Sequence, residues 1–334
     1  MPATRCLVSV IIPVHNDEGT LIRCLDSVFS QGLREMEIIL VNNGSTDTSV
    51  ELCETYREKD QRVRVVHMEH DTWGVACNKG LEAALGKYVH FVNAADYIEG
   101  EMEALSDTLL KNLDVIFLDT SFYNASNFWD ISHHSVLRRL CKDIPARLWD
   151  KLIRRDILIE KDIRFTEGVI WESVDFNIKL YIHANVYGAV EFPYARHTEE
   201  AVHDSAETFD KIISTLSKWA GPAESTYEEY STFIHIWMAG MYCDLLIPMY
   251  HRLPSDARAV FYTRMKDFQW LLGVRKTRGS RLLEALYIIL GPLATSYIIA
   301  VFLTFFKGYD MIEKMKMRRQ SNDESSGNWL REDS

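Results

Sequence analysis

The chain has 334 residues, 47% hydrophobic and 25% charged, with a formal net charge of −11. This is ordinary globular composition, with length enough for one large domain or two moderate ones around an ample core. The negative balance argues against a nucleic-acid partner. Six scattered cysteines (Cys6, Cys24, Cys53, Cys77, Cys141 and Cys243) without a C-x-x-C pair argue against a zinc knuckle or a disulfide framework, and for reduced thiols in a cytosolic compartment.

No signal-peptide pattern opens the sequence: Met1 to Arg5 leads directly into Cys6 to Pro13, a short β-branched run suited to a buried strand. The segment Val14 to Thr20 then turns into a helix with Leu21, Ile22, Leu25, Val28 and Phe29 on one face, stopped near Gly32. Met36 to Val41 reads as a second strand. Asn42 to Asp47 follow with turn and helix-capping residues, ahead of a helix carrying Val50, Cys53 and Tyr56. Val63 to His67 is a third strand, Ala76 to Leu85 a helix closed by Gly86, and 87–92 a fourth strand. Strands and helices alternate at about the length of a βαβ unit, which predicts an α/β fold with a mainly parallel sheet.

Beyond Asp96 the pattern predicts a helix at Glu101–Leu110, a strand at Asp114–Leu118 and a less regular stretch with Phe122, Tyr123, Phe128 and Trp129. Trp149 to Arg155 looks like the start of a surface helix. Phe165 to Trp171 leads into a helix beginning near Glu172, with Phe176, Leu180 and Ile182 inward, and Val186–Phe192 reads as the last clear strand. Helices are expected over 207–219, 227–251 and 256–272. The run Leu286–Phe306 has 21 residues without a charge, about 31 Å as a helix at ~1.5 Å per residue, interrupted early by Gly291-Pro292. Arg275, Lys276, Arg278 and Arg281 precede it, and Lys307, Lys314, Lys316, Arg318 and Arg319 follow. Positive charge on both flanks suits a re-entrant or interfacial membrane hairpin, with a true span and a buried soluble helix pair as alternatives.

Ligands of an open α/β sheet gather beyond the carboxyl ends of its strands. Three turns fall there: Pro13-Val14-His15-Asn16, Asn42-Asn43-Gly44-Ser45 and Asn93-Ala94-Ala95-Asp96. Neither G-x-G-x-x-G nor a P-loop accompanies them, so dinucleotide and P-loop readings are weak, whereas a nucleoside diphosphate would suit the three turns together.

The stretches V-S-V-I-I-P-V-H-N-D-E-G-T-L-I-R-C-L-D-S-V-F-S-Q (Val8 to Gln31), E-I-I-L-V-N-N-G-S-T-D (Glu37 to Asp47), N-K-G-L-E-A-A-L-G-K-Y-V-H-F-V (Asn78 to Val92) and W-D-K-L-I-R-R-D (Trp149 to Asp156) resemble the nucleotide-sugar transferases of glycosyltransferase family 2, in order over about 200 residues. The resemblance implies the GT-A fold, a nucleotide-sugar donor such as a UDP-sugar, an inverting mechanism and a divalent metal, Mn²⁺ or Mg²⁺. It implies a glycan or lipid-linked acceptor, in cell-surface polysaccharide or glycoconjugate synthesis. With the apolar run it suggests a membrane surface as partner and the cytoplasmic face of the membrane as location. On this reading 1–205 is the GT-A domain, 206–280 a helical extension, 281–320 a hydrophobic membrane-associating segment and 321–334 a disordered tail.

The resemblance places nucleotide-sugar contacts at Pro13, His15, Asn16, Glu18, Asn43, Ser45, Asn78, Asn93 and Asp96. His15 stands where the family has an aromatic against the base, and Asn43 where it has a base-binding Asp; a solvent-facing histidine and a simple capping turn are the alternatives. Asp47 reads as a helix-start acid. Where the family has Asp-x-Asp-Asp, residues 93–96 are Asn-Ala-Ala-Asp, so the metal position is Ala95 and only Asp96 remains as a candidate metal ligand. Ser173 replaces the usual catalytic Asp, and Glu172 and Asp175, at i, i+3 spacing, are the candidate acid–base residues. Trp149 and Trp171 could stack on a sugar, and Arg138-Arg139 and Arg154-Arg155 could meet phosphate, although core packing and a solvated face are the commoner uses. An active transferase, a binding or scaffold protein that kept the fold, and an enzyme that neutralises the diphosphate with Arg or Lys instead of metal all remain open.

Overall fold

The computed structural model describes residues 6–118, 127–140, 148–167, 172–192, 194–195, 206–220, 230–243, 247, 250–274 and 281–301. The aliphatic run at the start forms β1 (Val8–Val14), buried along its whole length. It is followed by α1 (Leu21–Phe29), β2 (Met36–Asn43), α2 (Ser49–Lys59), β3 (Val63–Met68), α3 (Trp73–Ala83) and β4 (Tyr88–Phe91). Pure apolar runs make sense here because helices cover both faces of a parallel sheet. On one face Val8, Val10, Ile12 and Val14 join Leu21, Leu25 and Val28 of α1 in a single core. On the other, α3 lies so close that a Cβ on Gly80 would collide with Ile11 and crowd Val41.

The second half adds β5 (Tyr97–Ile98), a 3₁₀ turn at Met102–Leu105, α4 (Ser106–Leu109), β6 (Val115–Phe117), β7 (Asn127–Ser132), α5 (His133–Leu140), β8 (Lys151–Arg154), α6 (Arg155–Glu160), α7 (Glu172–His183), β9 (Val186–Val190) and β10 (Tyr194–Ala195). The main sheet has the order β3-β2-β1-β4-β8-β6-β9-β7, and β10 pairs with β5 in a separate ribbon. β1 is parallel to β2 and β4, β2 to β3, and β6 to β9, while β8 is antiparallel to both its neighbours and β7 to β9. The sheet is mainly parallel, as expected, with two reversed strands.

One of these corrects the expected surface helix at Trp149–Arg155. Lys151–Arg154 is instead a central strand, with Leu152 and Ile153 fully buried between β4 and β6. Its basic ends made it look exposed. Lys151 is itself buried, its Nζ paired at 2.6 Å with Asp150, and Arg154 bonds Asp114 at 2.5 Å.

The chain divides into two compact units, Met1–His203 with Ser214–Trp237, and Asp204–Ile213 with Met238–Ser334. Helix α8 (Ala206–Ala220) and helix α9 (Ser231–Met241) each contribute residues to both. In the second unit the helix Ser255–Asp267 runs into a 3₁₀ turn at Gln269–Gly273, and Phe261 meets Phe209 at 4.5 Å. The helix Arg281–Val301 continues through Gly291-Pro292, although Gly291 takes a φ of +77°. The interruption expected at Gly291-Pro292 therefore does not end the helix. The basic residues from Lys307 onward and the polar tail lie outside the described residues.

Candidate active site

The parallel strands β1, β2 and β4 end on one edge of the sheet, and the first two turns there are sewn together. His15 Nδ1 donates to the Asn43 carbonyl at 2.8 Å, and Asn16 Nδ2 lies 3.3 Å from His15 Nε2. These contacts fix the tautomer with the proton on Nδ1, since a carbonyl can only accept. Asn16 sits at φ 56°, a left-handed conformation that Asn tolerates. There its N–H donates to Ser45 Oγ and its Oδ1 accepts from the Thr46 N–H at 2.8 Å. Glu18 Oε2 accepts from Thr48 Oγ1 at 2.7 Å, while Asp47 Oδ2 accepts from the Glu18 N–H. Pro13, His15, Asn16, Glu18, Asn43 and Ser45 are thus brought to one place. Pro13 contributes as the buried penultimate residue of β1, paired with Val41.

Two residues the sequence reading did not single out complete this wall. His70 stacks on His15, ring centroids 4.0 Å apart and planes 20° apart. The Asp71 backbone pairs with the Asn43 amide: Nδ2 donates to its carbonyl at 2.7 Å and Oδ1 accepts its N–H at 2.9 Å. The Asn43 side chain is therefore tied to the loop after β3. Asp47 acts as a helix-start acid, its Oδ1 accepting the Ser49 N–H. Slight desolvation raises its carboxyl, and the bonds from Ser49 and Glu18 outweigh this and lower it below the usual value. Burial raises the Asp17 carboxyl, and the His15 N–H only partly offsets that.

The third turn is built differently. Asn93 Oδ1 accepts the Ala95 N–H at 3.0 Å, and its carbonyl accepts the Asp96 N–H at 2.9 Å, an Asx turn closed on itself. Asp96 is buried, and Ala95 has no side-chain oxygen. Among the described residues no cluster of three or more His, Cys, Asp or Glu side chains is placed to hold a cation. A hard divalent ion needs several oxygen ligands, so the residues of this turn do not fit the metal that the resemblance implies.

Asn78 lies apart from the turns and clamps another loop. Its Nδ2 donates to the Phe165 carbonyl and its Oδ1 accepts the Phe165 N–H, at 2.9 and 3.0 Å. Phe165 stacks on Phe176 at 4.3 Å and meets Phe91 and Trp73 edge-on. Glu172 Oε2 accepts the Gly74 N–H at 2.5 Å, so its carboxylate sits on the positive end of the α3 dipole. Trp73, Gly74 and Asn78 thereby tie α3 to the segment that leads into α7.

Asp175 does not share that position, which corrects the expectation that it faces one cleft with Glu172. It is fully buried, with Oδ1 taking Lys218 Nζ at 2.6 Å and Trp219 Nε1 at 2.8 Å, and Oδ2 taking Thr166 Oγ1 at 2.6 Å and Lys179 Nζ at 2.7 Å. Burial alone would raise its pKa, but the two ammonium groups and Thr166 outweigh burial and lower it. A carboxylate so neutralised is a structural anion rather than a base. Only Lys179, four residues on, was legible nearby; Lys218 and Trp219 come from α8.

Trp171 lies outside the described residues, as do the side chains of Arg138 and Arg139. Trp149 is half-buried and accepts His90 Nε2 on its carbonyl. Arg154 pairs across from Tyr88, at the amino end of β4, so this pair of arginines is on the edge opposite the turns.

A model of the family described as "Glycosyl transferase family 2" matches residues 9–165. A Streptococcus pneumoniae relative, "Glycosyltransferase GlyA", is 37% identical over 264 residues, covering 70% of this chain and 38% of its own. "Putative glycosyltransferase EpsH" of Bacillus subtilis is 40% identical over 202 residues, covering 56% of this chain and 59% of its own. "Uncharacterized glycosyltransferase YibD" of Escherichia coli is 31% identical over 218 residues, 59% and 60% of the two chains. The chain thus spans 38 to 60% of the length of these three relatives. Among solved structures, S. aureus TarS 1-349 in complex with UDP-GlcNAc aligns with a TM-score of 0.65 at 20% identity, covering 90% of this chain and 92% of that one. The mannosyltransferase PcManGT from Pyrobaculum calidifontis, in complex with GDP-Man and Mn²⁺, aligns at 0.53 and 14%, covering 90% and 88%. At such identities the likeness establishes the fold, which is GT-A. With the family model on the residues that build β1 through β8 and these relatives in agreement, residues 9–165 form a glycosyltransferase family 2 domain.

Proposed function

We propose that the protein transfers a sugar from a nucleotide-sugar donor, most simply a UDP-sugar, to a glycan or lipid-linked acceptor at the cytoplasmic face of the cell membrane, in the synthesis of a cell-surface polysaccharide or glycoconjugate. The observation that carries the reading is the joined pair of turns at the ends of β1 and β2, where His15, Asn16 and Ser45 lock into one preformed wall against His70. A preorganised wall at the carboxyl edge of a parallel sheet is where a nucleotide is expected to bind. TarS, whose complex contains UDP-GlcNAc, supports a uridine nucleotide as the first donor to try. In the inverting reaction an acceptor hydroxyl attacks the anomeric carbon as the bond to the diphosphate breaks. In this reading Glu172, at the start of α7 and held by the Gly74 N–H, takes the hydroxyl proton, while Asp175 anchors α7 through Lys179 and Lys218. No step is assigned to a metal.

A second reading, a GT-A protein that binds a nucleotide sugar without turnover, is favoured by Ala95 and Ser173 at the positions where the family has acids. Incubating the purified chain with a panel of nucleotide sugars, with EDTA and with Mn²⁺, decides between them. Release of nucleoside diphosphate supports the transferase, and release indifferent to EDTA supports a metal-free route. Donor binding without release, matched by an unchanged result for Glu172→Gln, would establish the binding protein.

A further inference from the structure

The helix Arg281–Val301 has its polarity inside out. After Pro292 its buried positions are Thr295 and Ser296, both fully enclosed, whereas Leu293, Tyr297, Ile298 and Val301 are exposed. Before Gly291 the exposed positions include Leu282, Ile288, Ile289 and Leu290, and Ile289 is 76% exposed. A helix covering the core of a soluble protein presents the opposite pattern, with its apolar stripe inward.

The helix is also held along one side by its own unit. Tyr287 is buried with its hydroxyl 3.2 Å from that of Tyr242, which in turn donates to the Met265 carbonyl at 2.9 Å. Tyr297, on the other side of Gly291-Pro292, has its ring 4.8 Å from His251. A helix held at both halves by other segments of its own unit has one side left to offer to lipid. The sequence adds charge complementarity: Arg275, Lys276, Arg278 and Arg281 precede the apolar face, in a chain whose net charge is −11. Such a cluster is attracted to an anionic leaflet, and because it precedes the apolar face it need not enter the acyl region.

We infer that this helix lies in the plane of an anionic membrane as a one-sided anchor, its exposed face from Leu282 to Val301 dipped into the headgroup and acyl boundary, and that it does not cross the bilayer. The inference rests on the membrane-surface part of the proposed function but is independent of catalysis.

The test uses the full chain with phosphatidylcholine vesicles with and without phosphatidylglycerol, read by flotation. Binding to the anionic vesicles, weakened by salt, is expected. The double variant Ile289→Glu/Ile298→Glu should lose about tenfold or more in partitioning, because a charge at an apolar membrane position is strongly disfavoured. Both substituted side chains are exposed, and unchanged circular dichroism and UDP affinity would confirm that the variant is folded. Cysteine labelling on sealed vesicles should place residues before Arg281 and after Val301 on the same side. Labelling on opposite sides would show a span and overturn the proposal. Undiminished binding by the double variant would overturn the assigned face. Absence of vesicle binding, with light scattering showing a dimer that the double variant abolishes, would identify the face as a self-association surface instead. Loss of vesicle binding with intact sugar transfer would sink this inference alone, and vesicle binding without transfer would sink only the catalytic reading.

Discussion

The Asn78 amide satisfies both backbone polar groups of Phe165, which lies 87 residues further along the chain. Asn43 treats Asp71 in the same way. In each case a side chain substitutes for one rung of a strand ladder and pins a loop to a helix or strand end. A loop pinned so needs no regular partner for its peptide groups. At Phe165 the pin also sets the ring that stacks on Phe176 and fills the space beneath α3.

Replacing Asn78 with Leu removes both bonds while keeping comparable bulk. Asn78 is only half-buried, so water can partly compensate, and the loss should be about 1–3 kcal/mol of stability. Equilibrium urea unfolding would measure it. A midpoint unchanged from the parent would show that the Phe165 groups find other partners.

Glu172 and Asp175, three residues apart, should separate cleanly in function. Glu172→Gln is expected to lower kcat by about 10²-fold or more, the usual scale for losing a general base, with little change in UDP affinity. Asp175→Asn should instead cost stability, about 2–3 kcal/mol. That is below the full cost of orphaning a buried charge, because Lys179 and Lys218 both retain contact with solvent. The Asp175 carboxyl is held low in the fold, so its stabilising contribution is present above the unfolded value near 3.9 and fades as pH falls through the lower folded value. The stability gap between parent and Asp175→Asn should therefore narrow in strong acid. A gap that stays constant with pH would argue against the ion pair.

His90 gives a second pH signature with a different window. It is fully buried in β4 with Nε2 on the Trp149 carbonyl, and burial, with a smaller contribution from Lys151, pushes its pKa down to about 4 from 6.5. The fold therefore favours the neutral ring. Stability from this group is complete above pH 6.5 and is lost as pH falls from there toward 4. Between pH 7 and 5 the loss should be about 2 kcal/mol. His90→Gln should flatten that part of the profile in urea titrations. An equally steep profile in the variant would assign the effect elsewhere.

Ala95→Asp would place a second carboxylate in the turn of Asn93 and Asp96. Calorimetry with UDP present should then show tighter Mn²⁺ binding than in the parent. Identical heats would mean that this turn does not face the diphosphate as the family resemblance implies.

The alternation of buried apolar runs with amphipathic helices was enough to give β1 through β4 and the helices between them, because each strand's side chains report their own burial. The turns were legible for a local reason at Asn93 and Asp47, which bond within a few residues, whereas Asn16 and Asn43 find their partners 28 to 30 residues away. Charge at the ends of Lys151–Arg154 concealed β8, and only the tertiary structure shows that Lys151 is neutralised by Asp150 inside the sheet. The fate of the polar site residues was likewise undecided until the chain folded. Asp175 looked like an acid beside Glu172, yet its charge is spent on Lys218, 43 residues away. A residue's type and period disclose whether it is buried; which donor meets a carboxylate or an amide depends on chain segments far apart in sequence, and so only the tertiary structure decided which candidates remained available for chemistry.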